Sequence, residues 1–310
     1  MFASQATTAP LSLRGAHLLN AVLTLGYVLP LYFSKYTRLS FSKTPENDGT
    51  RSKGVSERWR DDPAVIKARL SSVSLSTIAS LCLVGYIIDT GLSNALGRRW
   101  DTTALYLGFS LGNRNLPVYV VTPALFLGPL YGRYLSRDLP FMAHWSFNER
   151  KNAFGWVGIR NYIVGPISEE LVWRSCLVSA YRLAGASSAF LVFFTPVSFG
   201  SAHLHHVWEI YNMHGGTRQA LRRAIVLALF QFTYTTLFGF HSAFLFLRTS
   251  SLLPSVSAHI FCNFMGFPQL QAELRWHPHR RRRTLNLSSC FTPWVDLYAI
   301  QKLCLRIVLA

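Results

Sequence analysis

Three groups of residues, each containing polar side chains within an apolar stretch, have side-chain types and spacings that suit a chemical reaction. In chain order they are Glu169, Glu170 and Arg174; Phe199 and His203; and His259 and Asn263. A carboxylate and a neutral imidazole beside a water can remove its proton and create a nucleophile. An imidazole N–H and a carboxamide can stabilise the oxyanion that forms when this nucleophile attacks an amide. The residue types therefore predict hydrolysis.

The stretch Asn161–Leu183 is the most informative of the three. Its eight Leu, Ile and Val residues favour membrane insertion by about 2.4 to 4.8 kcal/mol, whereas its two glutamates and Arg174 oppose insertion by about 7 to 10 kcal/mol. The charged side chains must therefore face a bundle interior or a wet cavity. Ionisable groups in that position indicate function.

Spacing assigns different tasks to the two glutamates. Glu170 and Arg174 are separated by four residues and share one helix face, with the acid on the favoured N-terminal side. This spacing predicts an ion pair that orients the helix. Glu169 lies about 100° away around the helix axis, so it is expected to face a water or a substrate.

The predicted fold is all-α, a polytopic transmembrane bundle. Apolar runs predict seven spans: Ala16–Phe33, Leu70–Asn94, Leu116–Leu135, Asn161–Leu183, Ser187–His203, Ala224–Leu247 and Leu252–Phe267. Along the chain this gives an N-terminal anchor and basic loop (1–69), membrane helices before the site (70–160), a catalytic core (161–268) and a basic tail (269–310).

Charge bias predicts the orientation of these spans. The connection Ser34–Arg69 holds nine Lys and Arg residues and Tyr131–Arg160 holds five, whereas Arg14 is the only one before the first span. Basic loops favour the cytosolic side, so the amino terminus is expected in the lumen. Glu169, His203, His259 and Asn263 then fall at one level in the cytosolic half of the bundle.

The formal net charge of +17 raises the alternative of a nucleic-acid-binding protein. The basic residues lie between apolar runs and in Arg280–Arg283, and no zinc-finger or aromatic RNA-binding pattern accompanies them. The charge therefore indicates contact with an anionic membrane surface and no nucleic-acid partner.

Two further segments are interpreted as solvated. His205, His206 and Glu209 resemble a metal-binding cluster, but they lack the HExxH spacing and follow the end of a predicted span. The loop Ser34–Arg69 has the composition of a solvated linker.

Together these motifs resemble the three signature motifs of the CAAX prenyl protease 2 family, the Ras-converting enzymes. Further similarity lies in Asp62–Lys67, Phe199–His206, Phe230–Thr235 and Phe261–Pro268. The resemblance extends from about Asp62 to Gln271, and the eukaryotic branch of the family fits better than the bacterial one.

The resemblance implies a multi-pass endoprotease of the endoplasmic reticulum membrane, open to the cytosol. Such an enzyme removes the aaX tripeptide from prenylated CaaX proteins such as Ras-type small GTPases, and uses neither a metal nor a cofactor. Matched residue by residue, Glu169 and His203 would activate the water, and His259 and Asn263 would stabilise the oxyanion. The supporting residues would be Glu170, Arg174 and Phe199.

The carboxyl-terminal tail departs from the family pattern. Family members continue into another hydrophobic helix, whereas Phe291–Ala310 contains Asp296, Lys302 and Arg306. This segment is expected to be either an interfacial helix or an eighth span, with the interfacial form favoured by its charges.

Two alternatives remain open at the level of sequence. Glu169, His203 and His259 would also suit a zinc ion in a metal-dependent membrane protease. Alternatively, the chain would be a non-catalytic membrane scaffold or immunity-type homologue whose polar residues only lock helices together.

Overall fold

The computed structural model describes residues 9–42, 53–96, 99–110, 117–140, 142, 144 and 153–266. These residues form helices and connecting loops, and within them β-structure is limited to two isolated bridges. The predicted all-α class is confirmed. The chain divides into two compact units. One comprises Met1–Arg114 with Val164–Val256, and the other Asn115–Ile163 with Ser257–Ala310.

The first unit opens with four helices: α1 (Leu13–Val28), α2 (Pro30–Phe33), α3 (Pro63–Leu96) and α4 (Arg99–Tyr106). The Ser12 hydroxyl accepts a hydrogen bond from the Gly15 amide at 3.0 Å, which satisfies one of the unpaired donors at the start of α1. Pro63 is the first residue of α3, a position where its missing N–H costs nothing.

Helix α7 (residues 156–183) carries the first motif and alternates between two helical geometries. Trp156–Gly158, Gly165–Glu170 and Ser179–Leu183 are α-helical, whereas Ile159–Val164 and Leu171–Val178 are π-helical. Within the first unit, the change from α to π comes directly after Glu170. Wider π turns of this kind are frequent at functional sites.

The rest of the first unit consists of α8 (Ser188–Phe193), α9 (Thr195–Ser201), α10 (His206–Met213), α11 (Arg218–Thr249) and the start of α12 (Leu253–Met265). Two glycines let α9 and α11 approach closely. A Cβ at Gly200 would collide with the Thr236 hydroxyl, and one at Gly239 would lie 2.5 Å from the Pro196 Cβ. This contact brings the second motif against α11.

The second unit contains α5 (Pro117–Leu125), α6 (Leu127–Leu135), the first part of α7 and the end of α12. The Phe126 and Phe261 rings meet edge to face at 5.3 Å between centroids. The Arg133 guanidinium donates to the Met265 carbonyl at 2.9 Å, which provides a partner for the carboxyl-terminal end of α12.

Three helical segments in the described part of the chain are long and apolar enough to cross a membrane: Leu13–Phe33, Pro63–Leu92 and Arg218–Thr249. They correspond to three of the seven predicted spans. Asn161–Leu183 is helical throughout, but Ser187–His203 is interrupted at Phe194 and Leu116–Leu135 at Phe126. Pro196 and Pro129 follow these interruptions and lack the N–H that would continue the helix.

The seven-span count therefore stays a prediction. Helix α12 has 13 residues, a length of about 20 Å at the α-helical rise, whereas a hydrocarbon core is about 30 Å thick. The predicted interfacial segment Phe291–Ala310 and the basic cluster Arg280–Arg283 lie outside the described residues.

The described residues of the loop Ser34–Arg69 form specific contacts, unlike a simple linker. The Glu57 side chain, only 4% exposed, accepts hydrogen bonds from the Ser42 amide at 2.6 Å, the Gly54 amide at 2.9 Å and the Trp59 indole at 2.9 Å. The backbones of Ser40 and Arg58 also pair in both directions at 3.0 Å. The interpretation as a solvated linker is wrong for these residues, because the buried Glu57 carboxylate binds Ser42, Gly54 and Trp59 together.

We predict that this loop depends on ionised Glu57. The hydrogen bond from the Ser42 amide, together with those from the Ser42 hydroxyl, the Gly54 amide and the Trp59 indole, lowers the pKa of Glu57 from 4.5 to about 2. Because the folded-state pKa is depressed, the stabilisation is fully present above about pH 4.5 and is lost as the pH falls towards 2. Glu57→Gln should therefore reduce the hydrogen-exchange protection of the Ser42 and Gly54 amides at pH 7.

Asp61→Asn, at an exposed carboxylate in the same loop, is the control and should leave this protection unchanged. Equal protection in the parent chain and Glu57→Gln, after correction for intrinsic exchange rates, would contradict the prediction.

Candidate active site

Glu170 and Arg174 form the ion pair that their spacing predicts. The Arg174 Nε lies 3.1 Å from the Glu170 Oε2, and the two residues are 1% and 0% exposed. A charge so fully removed from water requires a partner, since an isolated buried charge is very unfavourable. Each of these residues provides the counter-charge of the other.

A hydroxyl and two aromatic rings surround this ion pair in place of water. The Ser242 hydroxyl on α11 donates to the Glu170 Oε2 at 2.6 Å. The Arg174 guanidinium carbon lies 4.5 Å from the centroid of Phe199 and 5.8 Å from that of Phe238. Its Nη1 and Nη2 have no hydrogen-bond partner among the residues that the structure describes. The aromatic rings therefore supply cation–π stabilisation in place of hydrogen bonds.

Glu169 is half-buried, unlike the fully buried Glu170 beside it. It interacts electrostatically with Tyr27 of α1 and with Arg174. The Tyr27 hydroxyl forms a 2.9 Å hydrogen bond with the hydroxyl of Ser168, the residue before Glu169. Glu169 is thus an accessible carboxylate held on a helix that its buried neighbours fix.

His203 has a defined orientation at the end of α9. Its Nδ1 lies 2.8 Å from the Phe199 carbonyl oxygen, so the Nδ1–H donates to that oxygen, and in the neutral form of the ring the lone pair is on Nε2. The ring also meets Phe199 edge to face at 5.0 Å between centroids. Phe199 therefore contacts both His203 and Arg174 and connects the first two motifs.

Sequence reasoning missed several residues that complete this arrangement. Tyr27 contacts Trp173 edge to face at 4.8 Å, and Trp173 contacts Phe199 at 5.3 Å. Ser242 was missed as well, because a serine on an apolar helix is unremarkable until its partner is known. The signal for Trp173 was available, since it stands beside Arg174 in the first motif.

His206 and Glu209 are buried rather than solvated, so the sequence interpretation of this pair is wrong. They are 7% and 9% exposed, and the His206 Nδ1 lies 3.1 Å from the Glu209 Oε2. Burial, assisted by the positive charge of Arg60, lowers the pKa of His206 well below 6.5. The imidazole is therefore neutral at pH 7 and donates its Nδ1–H to the Glu209 carboxylate.

The third motif belongs to the second unit. His259 on α12 is 5% exposed. The Asn263 side-chain amide donates to the Asn161 carbonyl oxygen at 2.8 Å. One amide hydrogen of Asn263 is thus engaged locally, and the carboxamide has a second N–H to offer. Their separation of four residues keeps both side chains on one face of α12.

Comparison with known proteins finds similarity to one protein family. A family model described as Type II CAAX prenyl endopeptidase Rce1-like matches residues 151–265, which include all three motifs. Human CAAX prenyl protease 2 is 37% identical over 73% of this chain and 68% of its own length. The probable CAAX prenyl protease 2 of Schizosaccharomyces pombe is 35% identical over 69% of this chain and 73% of its own length.

The chain belongs to the CAAX prenyl protease 2 family. The Arabidopsis thaliana CAAX prenyl protease 2 is also similar, at 31% identity over 66% of this chain and 69% of its own length. No solved structure matches the chain significantly. Membership of this family and the long apolar helices identify a multi-pass membrane protein.

The residues of the three predicted motifs divide between the two units. Glu169, Glu170, Arg174 and His203 lie in the first, and His259 and Asn263 in the second. In the described part of the chain, no three His, Cys, Asp or Glu residues form a group suited to a metal ion.

We predict that Glu170 and Arg174 contribute to stability as a coupled pair. Glu170→Leu or Arg174→Met alone should cost about 3–5 kcal/mol, because each leaves an uncompensated buried charge. The double variant Glu170→Leu with Arg174→Met should cost less than the sum of the single changes. A double-mutant cycle on the free energy of unfolding in detergent measures this coupling. Additive effects would contradict the pairing.

Proposed function

We propose that the chain is an intramembrane endoprotease that removes the aaX tripeptide from prenylated CaaX proteins. The observation that carries this proposal is membership of the CAAX prenyl protease 2 family. The three predicted motifs lie within the residues that the family model matches. The mechanism is hydrolysis by a water that glutamate and histidine activate.

In this mechanism Glu169 is the general base. Its side chain is half-buried and therefore reachable by water, in contrast to Glu170. It takes the proton of a water that attacks the carbonyl carbon of the scissile amide. Glu170 and Arg174 support it, because their charges balance each other and Glu170 is bonded to Ser242 of α11.

His203 shares the activation of the water. The hydrogen bond from its Nδ1–H to the Phe199 carbonyl fixes the tautomer, so Nε2 is the atom that accepts a proton. Phe199 supports this role through both its carbonyl and its ring. After attack, the one proton taken from the water, held on Glu169 or passed to the His203 Nε2, is delivered to the leaving amine.

His259 and Asn263 stabilise the oxyanion. Both side chains can donate hydrogen bonds, one through an imidazole N–H and the other through a carboxamide. Burial of His259 supports this role, because a donor in a low-dielectric environment stabilises developing charge more strongly than one in water. One such donor contributes about 10²–10³ in rate.

The substrate fixes the cellular setting of the proposal. A prenyl chain is soluble in the bilayer, whereas the CaaX peptide of a Ras-type small GTPase is cytosolic. We place the enzyme in the endoplasmic reticulum membrane with seven spans and its active site open to the cytosol, as the basic loops favour. Neither nucleic acid nor a bound cofactor takes part.

We predict that Glu169→Ala and His203→Ala each reduce cleavage of a prenylated CaaX peptide by about 10²-fold or more, because each removes a group acting on the water. Purified membranes carrying each variant are compared with parent membranes at equal protein content. His214→Ala is the matched control, since the His214 Nδ1 lies 3.0 Å from the Ile210 carbonyl oxygen, four residues earlier, as in His203.

Retention of most activity in Glu169→Ala would overturn the mechanism. Loss of activity in the parent chain with a chelator, and its restoration by zinc, would establish the metal-dependent alternative. Unfolding of Glu169→Ala with no cleavage by the parent would favour the non-catalytic scaffold.

The topology has its own test. Seven spans from a lumenal amino terminus leave the carboxyl terminus in the cytosol, where the cluster Arg280–Arg283 is favoured near anionic lipid. A glycosylation acceptor appended after Ala310 should therefore remain unmodified. Modification of this acceptor would show that the tail crosses the membrane.

A further inference from the structure

Ser242 on α11 is a buried residue outside the three motifs. It is 0% exposed, and its hydroxyl donates to the Glu170 Oε2 at 2.6 Å. Its backbone carbonyl accepts a hydrogen bond from the Ser255 hydroxyl on α12 at 3.0 Å. Ser242 thus joins α11 to the helix of the first motif and to the first turn of α12.

The position of Ser242 gives its bond an effect that the Glu170–Arg174 pair lacks. Arg174 lies on the same helix as Glu170, so their 3.1 Å contact moves with α7 and cannot fix its rotation. Ser242 lies on α11, and its bond to a charged acceptor is of the short, strong kind. This bond therefore resists rotation of α7 about its own axis.

Rotation of α7 bears directly on Glu169. The two glutamates are adjacent in sequence, and the helix changes from α to π geometry directly after Glu170. A carboxylate about 6 Å from the helix axis moves by about 1.5 Å when the helix rotates by about 15°. A misplacement of about 1 Å can cost about 10²-fold in rate.

We propose that Ser242 is a positioning residue for Glu169, acting through Glu170 to set the rotation of α7. This inference rests on the proposed function, in which Glu169 is the general base. Ser242 does not touch the substrate, so its loss changes the rate of the chemical step and leaves substrate binding intact.

The test compares Ser242→Ala, Ser242→Cys and Ser242→Thr with matched changes at Ser179. Ser179 is also a fully buried serine of the first unit, and its hydroxyl donates to the Tyr106 carbonyl oxygen at 2.6 Å. Ser179→Ala and Ser179→Cys therefore remove a comparable buried hydroxyl on α7 without touching Glu170. Cysteine keeps the side-chain size but is a weak donor.

Measurements on the full chain in membranes give kcat, KM and the thermal midpoint of each variant. For Ser242→Ala we expect kcat to fall about 10- to 100-fold and KM to stay within about twofold of the parent value. Ser242→Cys should be intermediate, Ser242→Thr should restore most of kcat, and both Ser179 variants should keep it. The thermal midpoint should fall in both alanine variants.

The inference is overturned if Ser242→Ala keeps the parent kcat, if it loses no more than Ser179→Ala, or if KM rises with kcat unchanged. Should Ser242→Ala fail to accumulate, the comparison of Ser242→Cys with Ser179→Cys decides by the same criterion. Cleavage by the parent chain is measured first, so failure of the proposed function is recognised separately, by an inactive parent.

Discussion

The buried ion pair of Glu170 and Arg174 is the constraint on which the first unit depends. The idealised cost of moving one such ion from water to a medium of low dielectric constant is about 20 kcal/mol. Their contact at 3.1 Å offsets this cost only if the remaining polar surface is also matched. The sequence around the pair therefore has little freedom, and each neighbour has a definable task.

The neighbours of the pair come from two other helices. Ser242 on α11 donates to the carboxylate, and Phe199 on α9 lies against the guanidinium. Both helices must approach α7 and each other closely, which explains the small residues Gly200 and Gly239 at their contact. The packing of the unit thus follows from the need to complete the solvation of two charges.

The two adjacent glutamates have different environments in this arrangement. Glu170 is fully buried and bonded to Arg174 and Ser242, whereas Glu169 beside it is half-buried. Phe199 connects the ion pair with His203, since its ring contacts Arg174 and its carbonyl accepts the hydrogen bond that fixes the His203 tautomer. In the proposed mechanism, the base that gains and loses a proton therefore lies beside a charge pair that does not.

Sequence patterns predicted what depends on residues near each other in the chain. The long helices α3 and α11 follow from continuous apolar runs, and the pairing of Glu170 with Arg174 follows from their four-residue spacing. The interruption of two spans, the π-helical stretches and the burial of His206 with Glu209 were not predicted. They depend on what packs against each segment, which a single sequence does not state.

Helix α1 was predicted as an anchor, but in the structure it also makes polar contacts with α7 and α9. Its polar residues His17, Asn20, Thr24 and Tyr27 recur at the spacing of one helix face. Asn20 donates to the Ser198 hydroxyl at 2.7 Å, and His17 and Tyr27 reach Tyr181 and Ser168 at 2.8 and 2.9 Å. If α1 were apolar throughout, the hydroxyls of its partners on α7 and α9 would lose these hydrogen bonds. Each unsatisfied hydroxyl away from water would cost several kcal/mol. The first helix is therefore a packing partner of α7 and α9, which its polar face contacts.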